Sequence, residues 1–323
     1  MSFETRRIGK TDVHVSSMSF GCASIGNLYQ EVSDDAAADV LQTAWDAGIT
    51  YFDTAPRYGR GRAEARLGAF VKDKPRDSYI ISTKVGRVLR PGDAPYEAEG
   101  FVNPLQNTVH EDYSADGFAE ALEGSRERLG TEYIDIVFVH DIGTYTHGDD
   151  NPRHMEALCG SGMDYPIRLK EQGKIGAIGL GVNENEICLE IMQDYPLDAI
   201  LLAGRLTLLD RSAEEELVIR CLEAGTSLVL GGIFNSGILA TGPIEGATYD
   251  YESASDAVMA AVRALQTKAE SIGMSLAEAA IQFAQCHPAT ASVLIGTAKA
   301  TSLTRNLELA RTSPPEGFGT VFS

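Results

Sequence analysis

Four residues of this chain have the types and spacing to move a proton beside a carbon–oxygen bond: Asp53, Tyr58, Lys84 and His140. The apolar run ITYF at 49–52 stops at Asp53, and Tyr58 follows five residues later in the segment RYGRG. The run YIIST at 79–83 leads into Lys84, and IDIVFV at 134–139 leads into His140. A tyrosine hydroxyl ionises near ~10, too high for easy proton exchange at neutral pH. A nearby ammonium stabilises the phenolate and lowers that value. A carboxylate beside the lysine holds it in place and keeps it charged. Asp53, Lys84 and Tyr58 would together make a tunable general acid and base, with His140 hydrogen-bonding the substrate oxygen or the phenol. Singly, each has an ordinary explanation: a turn-forming Asp, a Lys snorkelling to solvent, a core His, a packing Tyr. Three consecutive apolar strands ending in Asp, Lys and His fit those explanations poorly. No metal is expected, since His140, Asp141 and His147 lack a ligand spacing, and without a GxSxG motif a nucleophilic serine has no support.

These groups act together only if the fold brings them to one place. Short β-rich runs alternate with helical stretches along the whole chain. RRIGKTDVHVSS opens as a hairpin with a Gly-Lys-Thr turn, before a first strand at 18–21. Further strands are expected at 49–52, 79–83, 134–140, 175–181, 198–203, 227–232 and 291–296. Helices are expected at 33–48, 63–70, 117–130, 153–173 (interrupted by CGSGMDYP), 186–194, 213–224, 255–273, 275–286 and 302–310. Ser33 can cap the first helix and Gly48 can stop it. The strands are continuous apolar runs, as in a parallel sheet covered on its faces. Eight such units point to a closed (β/α)8 barrel, α/β in class, formed as one domain over 1–323. The longest loops, near 85–115, 141–152 and 233–254, each follow a strand. They belong over the C-terminal face, where all four candidate groups also end and where a substrate pocket is expected.

Composition narrows the partners. Lys+Arg is 27 against Asp+Glu 46, a net charge of −19. Such a surface repels phosphate backbones and anionic membranes, so nucleic acid and membrane partners are not expected. Eight lysines against nineteen arginines reflect the surface, not the chemistry. The five scattered cysteines form no CxxC pair and read as reduced thiols of a cytoplasmic protein. The segment MSFETRRIGKTDV shows no apolar signal core, and no apolar run reaches the length of a membrane span.

The pattern DTAxxYG at 53–59, with the strand-end Lys84 and His140, resembles the tetrad of the aldo-keto reductase superfamily. The likeness extends through GKTDVHVSSMSFG, GKIGAIGLG, LLDR at 208–211, NSGILATG at 235–242 and the GT…N pattern at 296–306. It implies a TIM barrel, an extended nicotinamide cofactor and hydride transfer. It also implies Tyr58 as acid and base, Lys84 and Asp53 as its tuners, and His140 as the group orienting substrate. GVNEN, AGRLTLLD, GGIFNSGILA and DYES are similar to one branch. Members of that branch oxidise a cyclic hemiacetal, of an aldose such as L-fucose, L-galactose or D-arabinose, or of pyridoxal, to a lactone with NAD or NADP. A general aldehyde reductase and a cofactor-binding sensor remain the other readings.

The resemblance also implies the cofactor contacts. Asn183 would meet the carboxamide. Backbone groups of Gly232, Ile233, Phe234, Asn235, Ser236 and Gly237 would present N–H groups to the pyrophosphate. Gly296, Thr297, Lys299, Arg305 and Asn306 would meet the adenosine half. Three positions depart from the family pattern. Glu184 replaces the second carboxamide ligand, Ala203 replaces a strand-six glutamine, and Gly231 replaces the tyrosine that stacks on the nicotinamide. Leu206 or Phe234 would then support the ring. Ser302 stands where NADP-preferring relatives carry arginine, so NAD is favoured, with Lys299 or Arg305 left to meet a 2′-phosphate.

Overall fold

The computed structural model describes residues 2–322. β1 (Thr5–Arg7) and β2 (His14–Ser16) form the opening antiparallel hairpin. Ile8, Val13 and Val15 from this hairpin pack in one apolar cluster with Tyr51, Ile136, Phe138, Ala199 and Val229. The hairpin therefore closes the N-terminal end of a barrel, and Ile8, Val13 and Val15 become the floor of the interior.

The barrel strands are β3 (Met18–Gly21), β4 (Tyr51–Asp53), β5 (Ile80–Val85), β10 (Ile134–His140), β11 (Ile175–Val182), β12 (Ala199–Ala203), β13 (Ser227–Gly231) and β16 (Thr290–Ile295). They are parallel, pair in that order, and close between β16 and β3. The chain is thus a (β/α)8 TIM barrel. Around it lie α1 (Asp34–Asp46), α2 (Arg62–Val71), α3 (Ala115–Leu129), α6 (Asp164–Glu171), α7 (Glu186–Ile191), α8 (Leu217–Ala224), α10 (Asp256–Ser271), α11 (Leu276–Cys286) and α12 (Ala300–Arg311), with a terminal turn α13 (Phe318–Val321). Four of the helices start on a serine that accepts a hydrogen bond from the first turn: Ser33, Ser114, Ser255 and Ser275. Each satisfies an amide that the helix itself cannot.

The long loops are folded segments. After β5 come two hairpins, β6 (Arg87–Pro91) with β9 (Asn107–Glu111), and β7 (Glu97–Ala98) with β8 (Phe101–Val102). After β10 come α4 (Thr144–His147) and α5 (Asn151–Ala157), the latter running through a π-helical stretch, Leu158–Gly162, into α6. The interruption expected at CGSGMDYP is this widened turn. After β13 come α9 (Ile238–Thr241) and the hairpin β14 (Thr248–Tyr249) with β15 (Glu252–Ser253). Local alternation in these loops is too short to read from sequence, and the hairpins form by packing onto the barrel rim.

Two strand ends differ from expectation. β4 includes Asp53 and β5 continues through Lys84 to Val85, so both groups lie within the ladder rather than after it. Asp53 is registered with Ser82, and Lys84 with Phe138. The strands are apolar on both faces lower down, but alternate near the top: Phe52 and Val137 pack outward with the helices, while Tyr51 and Phe138 join the interior cluster. Asp53 has the parity of Tyr51, and His140 that of Phe138. The two-residue period of a strand is what turns these groups inward together.

Candidate active site

Lys84 Nζ lies 2.7 Å from Asp53 Oδ2 and donates a second hydrogen bond of 2.9 Å to the carbonyl of Thr54. Ser82 Oγ donates to Asp53 Oδ1 at 2.6 Å and is itself 3.0 Å from the hydroxyl of Tyr51. The side chains of Lys84 and Asp53 are only 2% and 1% exposed. Burial opposes both charges. Burial alone would pull the Lys84 ammonium down, but the Asp53 carboxylate and the Tyr58 phenol outweigh it and hold the value above its ordinary one. Burial pushes the Asp53 carboxyl up, against the pull of Lys84 and the Ser82 hydrogen bond. With both oxygens accepting hydrogen bonds, the pair is ionic. Gly181 faces the lysine: a Cβ there would stand 3.3 Å from Lys84 Cε, so the missing side chain leaves the stem its path.

Tyr58 sits above this pair. Lys84 Nζ is 4.7 Å from the centroid of its ring, and the ring stacks on Phe101 at 5.9 Å. The turn carrying Tyr58 is pinned by a close backbone approach. Gly59 has φ +62°, and a Cβ on it would lie 2.3 Å from the carbonyl oxygen of Gly26. Only glycine fits that contact in that conformation. The imidazole of His140 meets the Tyr58 ring edge-on at 5.9 Å and 84°. Its Nε2 is 3.5 Å from Asp141 Oδ2, and its Nδ1 is buried without a hydrogen-bond partner. Burial holds His140 well below its ordinary pKa, with Asp141 opposing, so the ring is neutral at physiological pH. Asp141 also binds Arg87 at 2.7 Å and Arg57 at 3.6 Å. Burial works against this carboxylate too, but His140 and the two guanidinium groups keep it well below the usual range.

Burial raises the Tyr58 phenol above its ordinary value, and Lys84 only partly offsets that rise. The sequence-based expectation of a lowered value therefore fails. The ammonium lies below the ring as expected, but desolvation outweighs its attraction.

The four groups line or underlie one cavity of about 500 Å³ at the C-terminal mouth, with Tyr58, Lys84 and His140 in its wall. Sequence reasoning missed Tyr29, Arg57, Phe101, Asp141, Tyr145 and Tyr251, which share that wall. Asp141 had a signal in its adjacency to His140, and Ser82 had one in its parity with Lys84. The aromatic residues come from loops and had none.

A second cavity of about 580 Å³ is lined by Gly232, Ile233, Phe234, Asn235, Ser236, Gly237 and Gly296. Leu28, Tyr29 and Tyr251 line both cavities, so the two are neighbours across those side chains. Asn183 lies in the first cavity, with its carbonyl held by Arg205 Nε at 2.7 Å. Several expected contacts come out differently. Glu184 accepts a 3.0 Å hydrogen bond from the Tyr145 amide, fastening two loops together. The Asn235 side chain is spent on the loop after β12, on Thr207 Oγ1 at 2.6 Å and on the Gly204 carbonyl at 3.2 Å. Leu206 is buried and lines neither cavity, which removes it as a support for a nicotinamide ring; Leu201 and Ala203 line the first cavity instead. Thr297, Lys299, Arg305 and Asn306 are not among the residues lining the second cavity. Asn306 is buried on α12, while Arg305 faces solvent.

A model of the Aldo/keto reductase family matches residues 17–316. The chain belongs to that family. Among aldo/keto reductases with assigned activities, it is 38% identical to the pyridoxal 4-dehydrogenase of Microbacterium luteolum, covering 98% of this chain and 96% of that one. It is 34% identical to the D-threo-aldose 1-dehydrogenase of a Pseudomonas species, over 94% and 92% of the two chains. Among solved structures, an aldo-keto reductase from Bacillus halodurans in its holo form superimposes with a TM-score of 0.74 at 25% identity, over 99% of this chain and 96% of that one. This aldo/keto reductase is an NAD(P)-dependent oxidoreductase. Among the described residues, no helix is long and apolar enough to cross a membrane.

Proposed function

We propose that this enzyme oxidises the hydroxyl-bearing carbon of a cyclic hemiacetal, in the first instance an aldose, to a lactone. The observation that carries the reading is the buried Lys84–Asp53 ion pair beneath Tyr58, with a neutral His140 beside the same cavity. The adjoining cavities suit an extended nicotinamide cofactor. Asn183 would hold its carboxamide, and Leu201 and Ala203 would give its ring a flat apolar wall. The turn at 232–237 would cradle its phosphates. Within that turn the amides of Asn235 and Gly237 already donate to the Gly232 and Phe234 carbonyls at 2.8 and 3.0 Å, which leaves the amides of Ile233, Phe234 and Ser236 as the donors for an anion. The chemistry that a nicotinamide supplies when bound is uptake of a hydride from the substrate carbon.

The chain's own residues then handle the proton. His140 would donate a hydrogen bond to the substrate oxygen and fix the hydroxyl towards Tyr58. The phenolate of Tyr58 would take the hydroxyl proton as the carbon–oxygen double bond forms. Lys84 would stabilise the phenolate, and Asp53 would keep Lys84 charged and in position. NAD is the favoured cofactor, because Ser302 offers no guanidinium to a 2′-phosphate.

One observation favours pyridoxal as a second reading. The catalytic cavity is walled by Tyr29, Phe101, Tyr145 and Tyr251 as well as Tyr58, and such walls suit a flat aromatic ring. Turnover of L-fucose, L-galactose, D-arabinose and pyridoxal, each with NAD and with NADP, separates the two. Tyr58→Phe tests the chemistry common to both: kcat should fall at least about a hundredfold, with cofactor affinity unchanged. Undiminished turnover in that variant would remove the proposed base.

A further inference from the structure

Behind the His140 strand end lies a cluster with no part in this chemistry. Glu111 closes β9, His147 closes α4, and His154 lies in α5. Glu111 Oε2 is 3.5 Å from His147 Nδ1 and 3.6 Å from His154 Nε2, and the three ligand atoms all lie within 4.8 Å of one another. The two imidazole rings are 4.2 Å apart. Their side chains are only 3% and 5% exposed, while Glu111 reaches solvent. We propose that Glu111, His147 and His154 bind one divalent transition-metal ion of the zinc class, which fastens the helical turn bearing Tyr145 and Thr146 to the neighbouring hairpin.

The hydrogen-bond network argues for it. Tyr113 donates its hydroxyl proton to the carbonyl of His140 at 2.7 Å. The same oxygen is 2.8 Å from His147 Nε2, so it must accept there, and the proton of a neutral His147 is on Nε2. That leaves a lone pair on Nδ1, turned towards a carboxylate oxygen. Two acceptors face each other with no hydrogen between them, an arrangement that a cation completes. A metal-bound imidazole usually gives its other N–H to an oxygen in this way.

Distance and donor type agree. Two ligands each about 2.0–2.2 Å from a tetrahedral zinc lie roughly 3.3–3.6 Å apart, close to the carboxylate–imidazole spacings seen here. The wider pair needs a contraction of about 1 Å, within reach of a short surface turn. Two imidazoles and one carboxylate suit zinc-class ions, leaving a fourth position for water, whereas magnesium and calcium prefer all-oxygen sets. One neighbour competes: Arg153 Nη2 lies 3.5 Å from His154 Nε2, at the limit of a hydrogen bond. Arg153 is exposed and can swing outward. The role is structural. Tyr145 and Thr146 line the catalytic cavity immediately before His147, so the ion would hold one wall of the pocket.

The test uses the full-length protein, stripped with a chelator and titrated with cobalt(II) chloride. One equivalent should bind, with visible ligand-field bands of tetrahedral intensity. Zinc chloride should displace it and raise the melting temperature, since binding to the native state alone stabilises that state. Glu111→Gln, an exposed and conservative change, and His154→Ala should each abolish the bands. His14→Ala, on the opposite end of the barrel, should keep them. Tyr113→Phe should weaken binding roughly tenfold or more by freeing the imidazole. Absence of stoichiometric cobalt binding would overturn the proposal, as would binding that survives Glu111→Gln unchanged. A pair held only by a proton gives that first result.

Discussion

Replacing Lys84 with methionine isolates the electrostatics on which the site rests. The substitution keeps most of the side-chain volume and removes the ammonium. Asp53 then remains with its side chain 1% exposed, keeping the Ser82 hydrogen bond but no counter-charge. Removing one partner of a buried ion pair costs about 3–5 kcal/mol, because the survivor is an uncompensated buried charge. The discount for solvent is small, since the two side chains are only 2% and 1% exposed. The Thr54 carbonyl also loses its lysine donor, a further cost of about 1 kcal/mol. The loss should depend on pH with a definite sign. Burial already pushes the Asp53 carboxyl up; without Lys84 its folded pKa rises further above the unfolded value. A folded state that holds its proton more tightly is favoured in acid and loses stability as pH climbs through the folded pKa. Urea unfolding near pH ~8 should therefore show a larger deficit against the parent than unfolding near pH ~5. The double variant Lys84→Met/Asp53→Asn, which buries no charge, should recover at least half of the deficit. Arg90→Met is the control. Its pair with Glu120 is 50% and 45% exposed, and its loss should leave the unfolding midpoint at the parent's. A Lys84→Met cost under about 1 kcal/mol, a pH-independent deficit, or no recovery in the double variant would refute the reasoning.

Other expected outcomes concern neighbouring parts of the site. Burial raises the Tyr58 phenol, and the proposed oxidation runs through its phenolate. The kcat/KM of oxidation should therefore climb about tenfold per pH unit through neutrality, while that of carbonyl reduction stays level; an oxidation optimum on the acid side would contradict it. His140 is held below its ordinary value and should add no break near neutral pH. Gly59→Ala forces a Cβ to 2.3 Å from the Gly26 carbonyl at φ +62°, and should cost about 2 kcal/mol or more while displacing Tyr58; unchanged melting and kcat would count against that contact. Glu184→Ala removes the carboxylate that holds the Tyr145 amide and should weaken substrate binding by about 1 kcal/mol, read as a several-fold higher KM at constant kcat. A fall in kcat alone would show that Glu184 acts elsewhere.

The barrel, and the gathering of Asp53, Tyr58, Lys84 and His140 at its mouth, were legible in the order of residues. Eight apolar runs alternating with capped helices leave few ways to bury themselves, and Asp53, Lys84 and His140 sit on strands whose parity turns them inward. Those properties are local or periodic, so they can be read one residue after another. Contacts between residues far apart in the chain came only with folding. Phe101, from a hairpin after β5, stacks on Tyr58; Glu184 fastens a loop instead of reaching a carboxamide; Asn235 is consumed by Thr207 and Gly204. Nothing in the residue order warned of Glu111 beside His147 and His154, because a long stretch of chain separates the carboxylate from the imidazoles. The direction of the Tyr58 shift belongs here too. The ammonium that lowers the phenol's pKa could be read from residue types, but the burial that outweighs it is a property of the packed molecule, where stripping water from the phenolate costs more than the neighbouring ammonium restores.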